Sequence, residues 1–160
     1  MSVLGVDKDF ESLTLTLTAE FDAPIDRVWN LWEDPRKLER WWGPPHYPAT
    51  FETYEFHAHG NVTYYMTGPD GERYHSYWTF TSINPPKSLE FNDGFAHEDG
   101  THNTDMPTTT AVMELSEQDG RTRMVMRSTT GSREHLDTLI KMGMIEGLTG
   151  AVGQMDALLV

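Results

Sequence analysis

The chain has 160 residues, 38% hydrophobic and 23% charged, with 25 acidic against 12 basic side chains and a formal net charge of −13. This length suits one domain with a sizeable core, and the acidic balance argues against nucleic acid or an anionic membrane surface as partner. The absence of cysteine excludes disulfides, thiolate nucleophiles and Cys-ligated metals, and no apolar run approaches the about 20 residues of a membrane span.

Residues 1–10 read as a loose lead-in, without the basic and apolar regions of a signal peptide, so a cytoplasmic location is expected. Residues 11–160 read as one domain. Leu13, Leu15 and Leu17 alternate with threonines, the pattern of a half-buried strand. Pro24 suits a first helical position with Asp22 as its cap, and Ile25, Val28, Trp29 and Trp32 follow at helical spacing. Pro35 breaks that helix, and Asp34-Pro35 starts a second short one holding Leu38, Trp41 and Trp42, which Gly43-Pro44-Pro45 ends. Four of the five tryptophans fall between positions 29 and 42. That many rings in so short a segment are not expected to enter one compact core together; some should form a wall or lip around an apolar space.

From 47 to 130 the period changes to two. Strands are expected over 47–57, 62–67, 73–83, 88–92, 109–116 and 122–130, joined by turns such as Gly68-Pro69-Asp70-Gly71 and Gln118-Asp119-Gly120. Short connections between consecutive strands imply an antiparallel sheet. Residues 93–107 read as a polar loop. Ser132 is the expected N-cap of one long helix over 132–159, with a stripe of Leu136, Ile140, Met144, Leu148, Val152, Met155 and Leu159, interrupted by four glycines. The expected fold class is therefore α+β: a strand, two short helices, six more strands and a long helix. A curved antiparallel sheet of about seven strands closes around the C-terminal helix.

This order, with Phe21-Asp22-Ala23-Pro24-Ile25-Asp26-Arg27-Val28-Trp29, Trp41-Trp42-Gly43-Pro44 and Ile83-Asn84-Pro85-Pro86-Lys87-Ser88-Leu89, resembles the SRPBCC (START-like, helix-grip) superfamily. Within it the chain is similar to homologues of the C-terminal domain of the heat-shock-protein-90 ATPase activator, over roughly residues 11–159. The resemblance implies a helix-grip fold and a role among binders of apolar or aromatic molecules, polyketide-handling proteins and the stress-response co-chaperone domain itself. Three places depart from the pattern: Met144 and Leu148, where relatives often carry tryptophan; the turn His57-Ala58-His59-Gly60; and a longer, more acidic loop over 93–106.

The expected function is binding of a small hydrophobic molecule, lipid- or polyketide-like, in a cavity between sheet and helix. Its expected lining is Trp32, Trp42, Phe56, Tyr64, Met66, Trp78, Phe80, Met113, Met126, Met144 and Leu148, with Tyr74 and Met124 also on inward positions. Seven of the nine methionines lie after position 105, and methionine suits a site for variable apolar guests. For each of these residues taken alone, a filled core explains the side chain as well. His57-Ala58-His59 has a ligand-pair spacing but no third partner, and His97, Glu98, Asp99, His102 and Asp105 lack a calcium-loop register, so no metal and no cofactor is expected. No Gly-x-Ser-x-Gly elbow occurs. Glu55, His75 and Arg127 are the candidates for polar groups on inward faces, the requirement of an alternative reading as a cyclase- or hydrolase-type enzyme. A second alternative is a co-chaperone-like interaction module. A homodimer is compatible with the sequence but not specified by it.

Overall fold

The structure, a computed structural model, describes residues 3–160. Eight strands form one antiparallel sheet: β1 (Val3–Asp9), β2 (Thr14–Phe21), β3 (Ala49–Tyr54), β4 (Asn61–Thr67), β5 (Arg73–Asn84), β6 (Ser88–Phe95), β7 (Thr109–Gln118) and β8 (Arg121–Thr129). Their spatial order is β1-β2-β8-β7-β6-β5-β4-β3. The strand beyond the expected seven is β1, formed within the lead-in and paired antiparallel with β2. Its apolar residues are too sparse for a periodic signal. Leu13 does not continue the alternation of β2. It lies in the β1–β2 turn at φ 59°, where the Asp9 carboxylate accepts from the backbone N–H groups of Glu11 (2.9 Å) and Ser12 (3.2 Å). Those bonds hold the Asp9 carboxyl below its ordinary pKa.

Between β2 and β3 run α1 (Ile25–Glu33) and α2 (Pro35–Leu38). Asp22 does not cap α1. The Glu117 carboxylate, from β7, accepts from the Ile25 N–H at 2.6 Å instead. Asp34 does cap α2, through the Arg36 N–H at 2.9 Å. The second helix stops at Leu38. Trp41 and Trp42 lie in the turn after it, both donating backbone N–H groups to the Leu38 carbonyl.

The tryptophans overturn the expectation that they could not share a core. Trp29, Trp32, Trp41 and Trp42 are 5%, 0%, 0% and 7% exposed and belong to a single cluster. Edge-to-face packing makes this compatible with close approach. Ring centroids are 4.9 Å apart for Trp32–Trp41, 5.7 Å for Trp32–Trp42 and 4.9 Å for Trp42–Trp78, at interplanar angles of 61–84°.

The long helix is also revised. Ser132 caps α3 (Arg133–Lys141) by accepting from the His135 N–H at 3.0 Å. The chain then breaks at Gly143, in the left-handed region at φ 93°, before α4 (Met144–Gly153) and α5 (Met155–Leu158). Gln154 ties this arm to the tryptophan turn, its side-chain amide donating to the Trp41 carbonyl (3.1 Å) and the Gly43 carbonyl (2.7 Å).

Candidate functional site: a cavity under the broken helix

The apolar stripe of the C-terminal arm is unevenly covered. Leu136 at one end and Val152, Met155 and Leu159 at the other are buried, while Ile140, Met144 and Leu148 in the middle are half-buried. Beneath that middle lies a cavity of about 330 Å³, at the lower end of the range for small-molecule sites. Trp42 and Pro44 form one wall. The arm supplies Leu139, Met142, Met144, Gly147 and Leu148. The sheet supplies Tyr64 and Met66 from β4, Tyr74 and Ser76 from β5, Asp93, Gly94 and Phe95 from β6, and Thr109 from β7.

Of the expected lining residues, the structure brings Trp42, Tyr64, Met66, Met144 and Leu148 together around the cavity, with Tyr74 exposed at its mouth. It places Trp32, Trp78, Phe80, Met113 and Met126 in the filled part of the core, where they are buried against other side chains. Met124 is also fully buried there. Phe56 is half-buried and packs edge-on against Trp29 (5.8 Å) and Phe80 (5.4 Å).

Asp93 lines the cavity too, a placement the sequence does not single out. Strand β6 runs three residues past its expected end at Asn92, so Leu89, Phe91, Asp93 and Phe95 share the inner face. The alternation was visible in the sequence, but Asp93-Gly94 resembled the start of a loop. Asp93 pairs in register with Trp78 on one side and Thr109 on the other. Its remaining exposure is toward the cavity, and its carboxyl takes no hydrogen bond or ion pair from any described side chain. Burial without a partner raises its pKa from 3.8 to about 7.

Tyr64 lies close by, opposite Ser76 in the ladder. Burial first, and the Asp93 carboxylate second, push its phenol above the ordinary value. The Ser76 hydroxyl and the Trp42 and Trp78 indoles neighbour the Tyr64 oxygen, but neither indole N–H reaches a partner in good hydrogen-bond geometry among the described residues. The three polar candidates of the sequence reading face elsewhere. Glu55 is exposed and accepts from the Asn61 N–H, His75 packs beside the Tyr65 ring, and Arg127 is exposed and pairs with Glu114.

The polar loop is more ordered in form than the sequence implied. Ala96 bridges His102, the Asn103 N–H donates to the Phe95 carbonyl at 2.9 Å, and the His102 ring stacks on Tyr77 at 3.5 Å. The loop ends at Pro107, which touches the cavity. His57 and His59 are exposed at a turn. Among the described residues no three His, Asp or Glu side chains are placed to hold a metal ion, and no helix is long and apolar enough to cross a membrane.

The family described as Activator of Hsp90 ATPase homolog 1-like protein matches residues 22–160. No curated protein matches this chain. Among solved structures, one of a protein from Arthrobacter aurescens is 51% identical, with a TM-score of 0.94 over 99% of this chain and 92% of that one. A protein from Mycobacterium smegmatis is 49% identical, with a TM-score of 0.92 over 99% and 97%. The AHSA1 protein from Silicibacter pomeroyi, 23% identical with a TM-score of 0.73 over 91% and 96%, shares the fold. A match across all but the first strands, on a sheet gripping a C-terminal helical arm, establishes that the chain belongs to the family of Activator of Hsp90 ATPase homolog 1-like proteins.

Proposed function

We propose that this protein binds a small hydrophobic or aromatic molecule, lipid- or polyketide-like, in the cavity between sheet and helical arm, and releases it unchanged in the cytoplasm. The observation that carries this reading is the uneven stripe: Met144 and Leu148 face a 330 Å³ space, while Leu136 at one end of the same arm and Val152, Met155 and Leu159 at the other are buried. Apolar walls give affinity by burial, at about 25 cal/mol per Å² before ordering costs. A guest at about a hundred times its Kd stabilises a protein by about 2.7 kcal/mol, which for this chain length is a rise of about 5–10 °C in Tm. A thermal-shift screen of lipids, flavonoids and polyketides tests this. A rise of that size for at least one class supports binding, and no rise for any class overturns it.

A second reading draws on Asp93. A carboxyl that holds its proton near neutral pH beside Tyr64 and Ser76 has the makings of a general acid or base, as cyclase- or hydrolase-type chemistry requires. Mass spectrometry of the guest after incubation separates the two: unchanged guest supports binding, and a product lost in Asp93→Asn supports catalysis.

A further inference from the structure

Resting on the binding reading above, we infer that the guest carries a basic nitrogen, a protonated amine on an apolar body, seated against the Asp93 carboxyl. The cavity walls contain three ionisable side chains, Asp93, Tyr64 and Tyr74, and no lysine, arginine or histidine. Asp93 therefore has no cationic partner in the cavity, and none of the hydroxyls on the same walls hydrogen-bonds its carboxyl among the described residues. A guest ending in a carboxylate places a second acid beside Asp93, so that both cannot ionise without repulsion, and finds no cation. A guest ending in a hydroxyl satisfies one oxygen but gives the carboxyl no counter-charge when it ionises. An ammonium group does both, through a charge-assisted hydrogen bond.

Two further features act in the same direction. Trp42, Tyr64 and Tyr74 put aromatic rings on the same walls, and ring faces attract cations. The net charge of −13 raises the local concentration of cationic guests before they enter. An ammonium beside Asp93 also favours the ionised carboxyl, so near pH 7 its arrival expels part of a proton.

Dodecylamine, dodecanol and dodecanoate at submicellar concentration form a matched test, with affinities measured calorimetrically at pH 7 in 0.3 M salt. The amine should bind about tenfold or more tightly than the alcohol, and the alcohol more tightly than the carboxylate. Asp93→Asn should remove the preference for amine over alcohol while leaving alcohol affinity within about threefold. Simple attraction of an amine to an acidic surface would persist in that variant. Wild-type titrations in two buffers of different ionisation enthalpy should show proton release for the amine and none for the alcohol. Alcohol binding as tight as amine binding, or an amine preference that persists in Asp93→Asn, overturns the basic-nitrogen inference and leaves the binding reading standing. Absence of binding by all three also overturns the inference, and the broader thermal-shift screen then decides the binding reading independently.

Discussion

The inner face of the sheet has a filled half and an open half, made by the same strands. Two residues along each strand separate them. On β5 the step is from Trp78 to Ser76, on β6 from Phe91 to Asp93, and on β7 from Ala111 to Thr109. In the filled half, Trp78 stacks on Phe91 at 4.1 Å and meets Trp42 edge-on, and both Trp78 and Phe91 are buried. In the open half, Ser76, Asp93 and Thr109 stand at the next inward positions, and the cavity lies between them and the arm. The arm breaks at Gly143 over the same place. The cavity thus arises from small residues below and a backbone break above, and not from a missing element. It also holds Asp93, an acid with no partner among the described residues, which a close-packed interior would not tolerate.

Truncation should separate the halves most strongly. Trp78→Ala is expected to cost about 3–5 kcal/mol by chemical denaturation, the range for a large ring removed from a packed core. Leu148→Ala, facing the cavity, should cost under about 1.5 kcal/mol. Equal losses would mean that the space under the arm is packed in solution.

The next largest effect is on pH dependence. The unfolded chain ionises Asp93 near pH 3.8, whereas the folded protein keeps its proton to about pH 7. The folded state therefore binds more protons between those values, and stability falls as pH rises through that window, by about 1.4 kcal/mol per pH unit at the steepest. Asp93→Asn should match wild type below about pH 4 and exceed its stability above pH 7 by on the order of 3–4 kcal/mol. A constant difference at all pH values would show that the carboxyl is solvated, and would erase the electrostatic contrast between the halves.

Two smaller effects sharpen the boundary. Gln154→Ala removes both bonds to the tryptophan turn and should cost about 1–2 kcal/mol. Leu148→Trp puts a ring into the open half. It should shift Tm by only about 2 °C in either direction while abolishing uptake of any apolar guest. Retained uptake would place the guest elsewhere.

Much of this was legible as periodicity. Leu15 and Leu17 alternate with threonines, and Val62 and Tyr64 alternate along β4, because one face of an antiparallel sheet is buried and the other meets solvent. The turns at Gly71 and Asp119-Gly120 adopt positive φ, as their residue types require. The site was less legible because periodicity shows which face a residue takes, not what stands opposite. Trp78 and Tyr64 have the same pattern, yet one fills the core and the other borders a space. Asp93 was hidden by chemistry. Asp-Gly is common in turns, and here it continues a strand because the unfavourable acid faces a cavity instead of packed side chains.

Gly143 also divides the labour of the arm. At φ 93° the joint is fixed by a residue for which any side chain would be strained. Of the residues around it that border the space, Leu139 stands on α3, Met144 and Leu148 on α4, and Met142 in the joint between them. The frame is thus set by the main chain and the upholstery by replaceable side chains. A chain of this design can change the shape of what it accommodates at those four positions without renegotiating its fold.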